Sequence, residues 1–103
     1  MSAILPALDY DEEALASFCR RWSVLELAVF GSAARNEMRP DSDIDFMVQF
    51  IPGAVCTLAD FVHMNQELEA MFGRKVDLVT PSVLENRFRR RTIEPDLTVV
   101  YAA

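Results

Sequence analysis

The sequence has few of the residues that several common kinds of protein site require. Only two cysteines and one histidine occur among its 103 residues, which is too few for a structural zinc site. Cys19 and Cys56 lie far apart, and without a secretory signal we expect free thiols rather than a disulfide. No apolar run reaches the length that crosses a bilayer. These absences predict a cytoplasmic protein with no membrane partner.

Positive charge is also scarce, because the net charge is -6. Broad nucleic-acid binding depends on Lys and Arg that neutralise phosphates, so we expect no strong direct binding of nucleic acid. Four of the ten basic residues are nevertheless clustered, at Arg87, Arg89, Arg90 and Arg91. The cluster is a candidate docking surface for an acidic partner or RNA, but a solvated helix face explains it more simply.

What the chain does have is an ordinary proportion of hydrophobic residues, 51%, arranged in periodic segments. We expect one domain over residues 1–103. Helical spacing and turn residues predict helices that start after Asp9 or Asp11, at Gly31-Ser32, after Thr57 and at Thr80-Pro81. Strand-like runs occupy 24–30, 44–50, 75–79 and 97–101. This alternation predicts an α/β (α+β) fold with helices packed on a sheet of about four strands.

The last predicted helix combines apolar residues with the arginine cluster. Its spacing predicts that Val83, Leu84 and Phe88 face the core and that the arginines face solvent.

The central stretch from Val29 to Phe50 contains an Asp-x-Asp pattern, Asp43 and Asp45. Side chains alternate across a strand, so both carboxylates should lie on one face, opposite Ile44 and Phe46. Paired carboxylates suit Mg²⁺, which takes one or two of them plus phosphate oxygens. Two exposed acids that protect an edge strand would give the same pattern.

Two further features strengthen the magnesium interpretation. Gly31-Ser32 ends a strand, where a glycine allows close approach of a ligand and a serine can donate to a phosphate. A simple turn with a serine cap would look the same. Asp77 lies in the short apolar run 75–79, where an acid is costly unless it is paired or near a metal.

The combination resembles the DNA polymerase β-like nucleotidyltransferase superfamily, and within it the minimal nucleotidyltransferases. G-S-A-A-R-N-E-M-R-P-D-S-D-I-D-F is similar to their G-S-R-A-R-G-x-x-x-x-x-S-D-I-D-L run, and K-V-D-L-V is similar to their third-acid strand. Ala33 stands where an Arg is frequent, and Asn36 stands where a Gly is frequent. Asn tolerates a left-handed backbone better than most residues. The resemblance implies a nucleotidyltransferase fold with a small mixed sheet.

The resemblance also implies a site and a reaction. Asp43, Asp45 and Asp77 would be the catalytic and metal-binding acids and would hold two Mg²⁺ ions. The nucleotide-binding residues would be Gly31, Ser32, Arg35 and Ser42. ATP would be the substrate, and its AMP would be transferred to a hydroxyl.

Minimal nucleotidyltransferases are similar to antitoxins that pair with HEPN-domain ribonuclease toxins. The implied acceptor is a tyrosine of such a toxin, in a hetero-oligomer. The arginine cluster and the exposed face of the helix 57–72 are candidate docking surfaces. The alternative, supported by the missing Arg at position 33, is an antitoxin that neutralises its toxin by binding alone. A small-molecule nucleotidyltransferase is a weaker third interpretation.

Overall fold

Four strands form a single mixed sheet in the computed structural model, which describes residues 10–103. The strands are β1 (Val24–Phe30), β2 (Ile44–Phe50), β3 (Val76–Val79) and β4 (Thr98–Ala102). Their order across the sheet is β3-β2-β1-β4. β1 is antiparallel to both β2 and β4, whereas β2 and β3 are parallel. The predicted small mixed sheet of four strands is confirmed.

Three α-helices and two 3₁₀ segments accompany the strands in the described residues, with α1 before β1 and the others after β2. The helices are α1 (Glu12–Arg21), α2 (Leu58–Phe72) and α3 (Arg87–Ile93), and the 3₁₀ segments are Pro81–Glu85 and Glu94–Asp96. Asp11 caps α1; the other predicted cap, Asp9, lies outside the described residues. Thr57 and Asp60 form a reciprocal capping box at the start of α2, and Gly73 ends that helix in a left-handed conformation. Among the described helices, none is long and apolar enough to cross a membrane.

Alternate side chains of β2 pack into two apolar clusters, one on each face of the sheet. Ile44, Phe46 and Val48 are fully buried in the main core, together with residues of α1 and α2. Met47 belongs to a second, smaller cluster with Phe30 and Ile93. Since Ile93 belongs to α3, this helix covers the sheet face opposite the main core. Asp45 stands between Ile44 and Phe46 and two residues before Met47, and by alternation it therefore lies on the α3 side of the sheet with Met47.

The predicted short helix at Gly31-Ser32 is wrong, because residues 31–36 form turns. One helix-like hydrogen bond is present, from the Arg35 amide to the Gly31 carbonyl at 3.1 Å. The next amide, that of Asn36, bonds instead to the Ala33 carbonyl, and Asn36 has a left-handed φ of 58°. A left-handed residue cannot continue a right-handed helix, so the segment ends after one turn.

The predicted helix after Thr80 is divided in two. The 3₁₀ segment Pro81–Glu85 ends at Asn86, whose extended backbone starts α3 in a new direction. Phe88, predicted to face the core, is therefore 74% exposed. Val83 and Leu84 pack at the edge of the second cluster as predicted.

Candidate active site

Parallel pairing of β2 with β3 places two of the predicted acids side by side. Asp45 and Asp77 are register partners, on neighbouring strands that are ordinarily about 4.8 Å apart. Asp43 comes immediately before β2, two residues from Asp45, and is exposed. All three acids therefore lie at the same end of β2 and β3.

The electrostatics of Asp45 reflect this crowding. Its pKa is raised above the ordinary value, first by burial and then by the negative charges of Asp77 and Asp43. The positive charges of Arg89 and Arg35 act in the opposite direction without cancelling the effect. A bound cation would remove the repulsion between these carboxylates.

The donor set suits an ion that is shared with a substrate. Across residues 10–103, no three acidic, histidine or cysteine side chains converge into a closed metal-ligand cluster. Mg²⁺ does not require such a cluster, because it is usually held by one or two carboxylates, water and substrate phosphates. Asp45 and Asp77, with Asp43 beside them, fit that kind of partial site.

Gly31 lies against the Asp45 carboxylate. A β-carbon built on Gly31 would stand 2.5 Å from Asp45 Oδ2, and the Gly31 φ is 71°. The closeness follows from the antiparallel register, which pairs Phe30 with Asp45, and from the turn that begins at Gly31. Glycine is thus required at position 31 both for its backbone conformation and for the space beside Asp45.

A cavity of about 570 Å³ opens beside this contact. Its walls come from the turn after β1, from β2 and from α3, namely Phe30, Gly31, Ser32, Arg35, Asp45, Phe88, Arg89, Thr92 and Ile93. A larger, mostly apolar cavity of about 740 Å³ lies between the start of α2 and the segment Pro81–Glu85. It contains none of the candidate acids, so its size alone does not make it the reaction site.

Two of the predicted nucleotide-binding residues have structural partners. Arg35 donates from Nε to Glu37 at 2.9 Å and forms an ion pair with Asp96. Those partners raise the pKa of the Arg35 guanidinium and tie the turn after β1 to the segment before β4. The Ser42 hydroxyl accepts from the Arg39 amide at 2.8 Å. Ser42 does not line the cavity and instead shapes the loop that leads to Asp43.

The structure adds three residues of α3 that the sequence did not identify as site residues. Phe88, Arg89 and Thr92 line the cavity opposite Gly31 and Ser32. Sequence spacing could have grouped Phe88 with Thr92, four positions later on the same helix face. Their position near Asp45 depends on the packing of α3 over the sheet, and no local pattern in the sequence predicts that packing.

The two departures from the family pattern have distinct structural settings. Ala33 is buried in the main core, only 7% exposed, so its side chain does not face the cavity. An arginine could not occupy that position without a rearrangement of the turn. Asn36 is left-handed, which agrees with the expectation that it replaces a frequent Gly at little cost.

A four-stranded mixed sheet with a Gly-Ser turn against an acidic pair defines a nucleotidyltransferase fold. The chain belongs to the nucleotidyltransferase domain family, which matches residues 11–100. The sequence-based assignment to nucleotidyltransferase enzymes is thereby confirmed.

Similar chains agree with this assignment. A Methanocaldococcus jannaschii protein, provisionally named a protein adenylyltransferase, is 36% identical over 80 residues, which cover 78% of this chain and 80% of that protein. The protein adenylyltransferase MntA of Thermococcus cleftensis is 41% identical over 66 residues, covering 64% and 65%.

Solved structures show the same fold. A provisionally assigned minimal nucleotidyltransferase superposes with a TM-score of 0.67 at 37% identity, covering 84% of this chain and 86% of that one. A toxin–antitoxin complex crystallised with AMP-PNP gives a TM-score of 0.69 at 17% identity, covering 90% and 74%. At that identity the second likeness concerns the fold alone.

Proposed function

We propose that this protein transfers AMP from ATP to a hydroxyl of a partner protein. The observation that carries the proposal is the position of Asp45, beside Asp77 in register and against Gly31 at a cavity. Similar proteins named protein adenylyltransferases support the choice of transferred group and of a protein acceptor.

Each candidate residue has a role in the proposed reaction. Asp43, Asp45 and Asp77 would hold two Mg²⁺ ions, which when bound supply positive charge to the triphosphate. Gly31 leaves room for the Asp45 carboxylate at the cavity where the nucleotide would bind, and Ser32 offers a hydroxyl donor to a phosphate oxygen. Asp77, the most exposed of the register pair, accepts the proton of the acceptor hydroxyl.

The proposed reaction is an in-line displacement at the α-phosphorus of ATP. The acceptor oxygen forms a bond to the α-phosphorus of ATP, and the bond from that phosphorus to the α–β bridging oxygen breaks. Pyrophosphate leaves with the bridging oxygen. The remaining proposed roles are secondary: Arg35 fixes the turn after β1 through Glu37 and Asp96, and Ser42 fixes the loop before Asp43.

The proposed acceptor is a tyrosine of a HEPN-domain ribonuclease toxin, for which this protein is the antitoxin. The similar fold of MntA in its complex with HepT (TM-score 0.60, 16% identity) supports a toxin partner. The exposed arginines of α3 and the exposed face of α2 remain candidate docking surfaces.

The test is transfer of label from α-labelled ATP to the co-purifying partner in the presence of Mg²⁺. Wild-type protein should label the partner, whereas Asp43→Asn and Asp45→Asn should reduce labelling by at least about a hundredfold, the loss typical of a removed electrostatic contact in a transition state. Asp41→Asn is the matched control, because Asp41 is an exposed acid of the same loop. It should label normally.

A toxin-neutralisation assay on the same variants, read beside the labelling assay, separates catalysis from neutralisation by contact. If Asp43→Asn and wild type neutralise the toxin equally and neither transfers label, the protein acts by binding alone. The buried position of Ala33 removes one reason for that alternative, because an arginine there would not reach the cavity in this conformation.

A further inference from the structure

Helix α3 forms one wall of the candidate site. Ile93 anchors the helix to the sheet through Phe30 and Met47. Asn86 orders its first turn, because the side-chain oxygen accepts from the amides of Phe88 at 2.9 Å and Arg89 at 3.2 Å. The residues held at this start of the helix are the ones that reach the cavity.

Arg89 differs from the other arginine of the cavity in its partners. Arg35 is neutralised by Glu37 and Asp96, whereas Arg89 forms no ion pair with any other residue in the range 10–103. Arg89 is nevertheless close enough to Asp45 to lower the pKa of that carboxyl. It is therefore the cation of this cavity that is available to an anionic ligand.

Arg89 also differs from its neighbours in the arginine cluster. Arg90 donates from Nε to the Leu84 carbonyl at 3.0 Å, which ties α3 to the preceding 3₁₀ segment. Arg87 and Arg91 are exposed and do not line the cavity. Within the cluster, only Arg89 reaches the cavity that contains Gly31, Ser32 and Asp45.

Phe88 is the second unusual residue of this wall. It is 74% exposed, whereas Ile93, which lines the same cavity, is only 2% exposed. Contact with a ligand would remove from water the apolar surface that the folded chain leaves exposed on this ring, which favours binding. A flat aromatic ring at a cavity rim can stack on any nucleobase, since every base has an apolar face.

We propose that α3 is the nucleotide-binding wall of the site, in which Arg89 binds the triphosphate and Phe88 stacks on the base. The assignment rests on the proposed function, since it takes ATP as the nucleotide. It gives the phosphate-binding role to Arg89 and leaves Arg35 to hold the turn after β1. It also separates Arg89 from the exposed arginines that remain free for a partner.

Binding of two probes, Mg·ATP and Mg·tripolyphosphate, tests the two residues separately by calorimetry. Arg89→Met should weaken binding of both probes by at least about tenfold, because a charge-assisted contact to phosphate is lost. Arg91→Met removes the same charge from the same helix outside the cavity and should change both affinities by less than about twofold. Arg89→Lys should restore part of the binding, which excludes misfolding as the cause.

Phe88→Ala has a different expected signature. It should weaken ATP binding by about tenfold, within the range for base stacking on an aromatic ring, and leave tripolyphosphate binding unchanged. Phe88→Tyr should bind ATP as wild type does, because the ring is retained. Circular dichroism of each variant checks that the fold is intact.

The outcomes distinguish this inference from the proposed function. Equal affinities of Arg89→Met and Arg91→Met, or equal loss of both probes in Phe88→Ala, would overturn the inference while wild-type labelling of the partner still stands. If wild-type protein binds neither probe and labels nothing, the proposed function and the inference fail together.

Discussion

Gly31 and Gly73 both have a left-handed backbone, but only Gly31 has a neighbour where a β-carbon would stand. The φ angles are 71° and 67°, and nothing lies within 4 Å of a β-carbon built on Gly73. The two positions therefore separate the cost of backbone conformation from the cost of a clash with Asp45.

We expect Gly73→Ala to lower the free energy of unfolding by roughly 1–2 kcal/mol, the conformational cost alone. Gly31→Ala should lower it further, because the Asp45 carboxylate must also move. It should abolish label transfer in the assay above, whereas Gly73→Ala should transfer normally. Chemical denaturation and the labelling assay measure the two effects. Equal stability and equal activity of the two variants would contradict the contact between Gly31 and Asp45.

At the scale of elements, α3 is a short helix whose first turn depends on its cap. The helix has seven residues, and the Asn86 side chain accepts from two of its amides. Thr57 caps α2 in a similar way but lines no part of the cavity at Asp45. The two caps make a matched pair.

We expect Asn86→Ala and Thr57→Ala each to cost about 1 kcal/mol of stability. Asn86→Ala should in addition weaken ATP binding and speed hydrogen exchange at Phe88 and Arg89, because the first turn of α3 frays. Thr57→Ala should leave ATP affinity at the wild-type value. A loss of affinity that is the same in both variants would show that α3 has no special connection with the nucleotide.

Element patterns were readable from the sequence to the extent that they are local. All four strands were predicted because each is a short, mostly apolar run bounded by turn residues, and Asp11, Thr57 and Gly73 are local cap signals. The helix at Gly31-Ser32 was wrong because a favourable composition says nothing of the left-handed turn at Asn36. The prediction that Phe88 faces the core was wrong, because the break at Asn86 interrupts the helical spacing that joined Phe88 to Val83 and Leu84.

In the candidate site, too, local features could be predicted from the sequence and contacts between distant residues could not. Asp43 and Asp45 are recognisable as a pair two residues apart, whereas the pairing of Asp45 with Asp77 depends on the strand order. The ion pair of Arg35 joins residues 61 positions apart, and no local pattern predicts it. The same holds for Arg89, whose position follows from the packing of α3 over the sheet.

For the whole molecule, the acidic site predicts how global stability varies with pH. The folded state raises the pKa of Asp45 above its ordinary value of 3.8. Below that value the carboxyl is protonated in both states and costs nothing. As the pH rises, the unfolded chain loses this proton first, so the contribution of Asp45 to the free energy of unfolding decreases through the folded pKa.

We therefore expect Asp45→Asn to be more stable than wild type at pH 7, and the difference to vanish below about pH 3.8. Mg²⁺ should narrow the difference at pH 7 by stabilising the wild type, because a ligand that binds only the folded state raises its stability. Thermal unfolding across pH, with Asp41→Asn as the control, measures both effects. A variant less stable than wild type at pH 7 would contradict the electrostatic account of Asp45.

The strand order β3-β2-β1-β4 also makes the protection of β1 depend on a distant strand. β1 lies inside the sheet, yet one of its two partners, β4, comes about seventy residues later in the chain. The acidic pair can assemble as soon as β3 joins β2, while the far side of β1 still has unpaired backbone groups. Such an open edge pairs readily with other chains. Pairing with β4 therefore completes the hydrogen bonding of β1 and moves the edge of the sheet from this mostly buried strand to the more exposed β4.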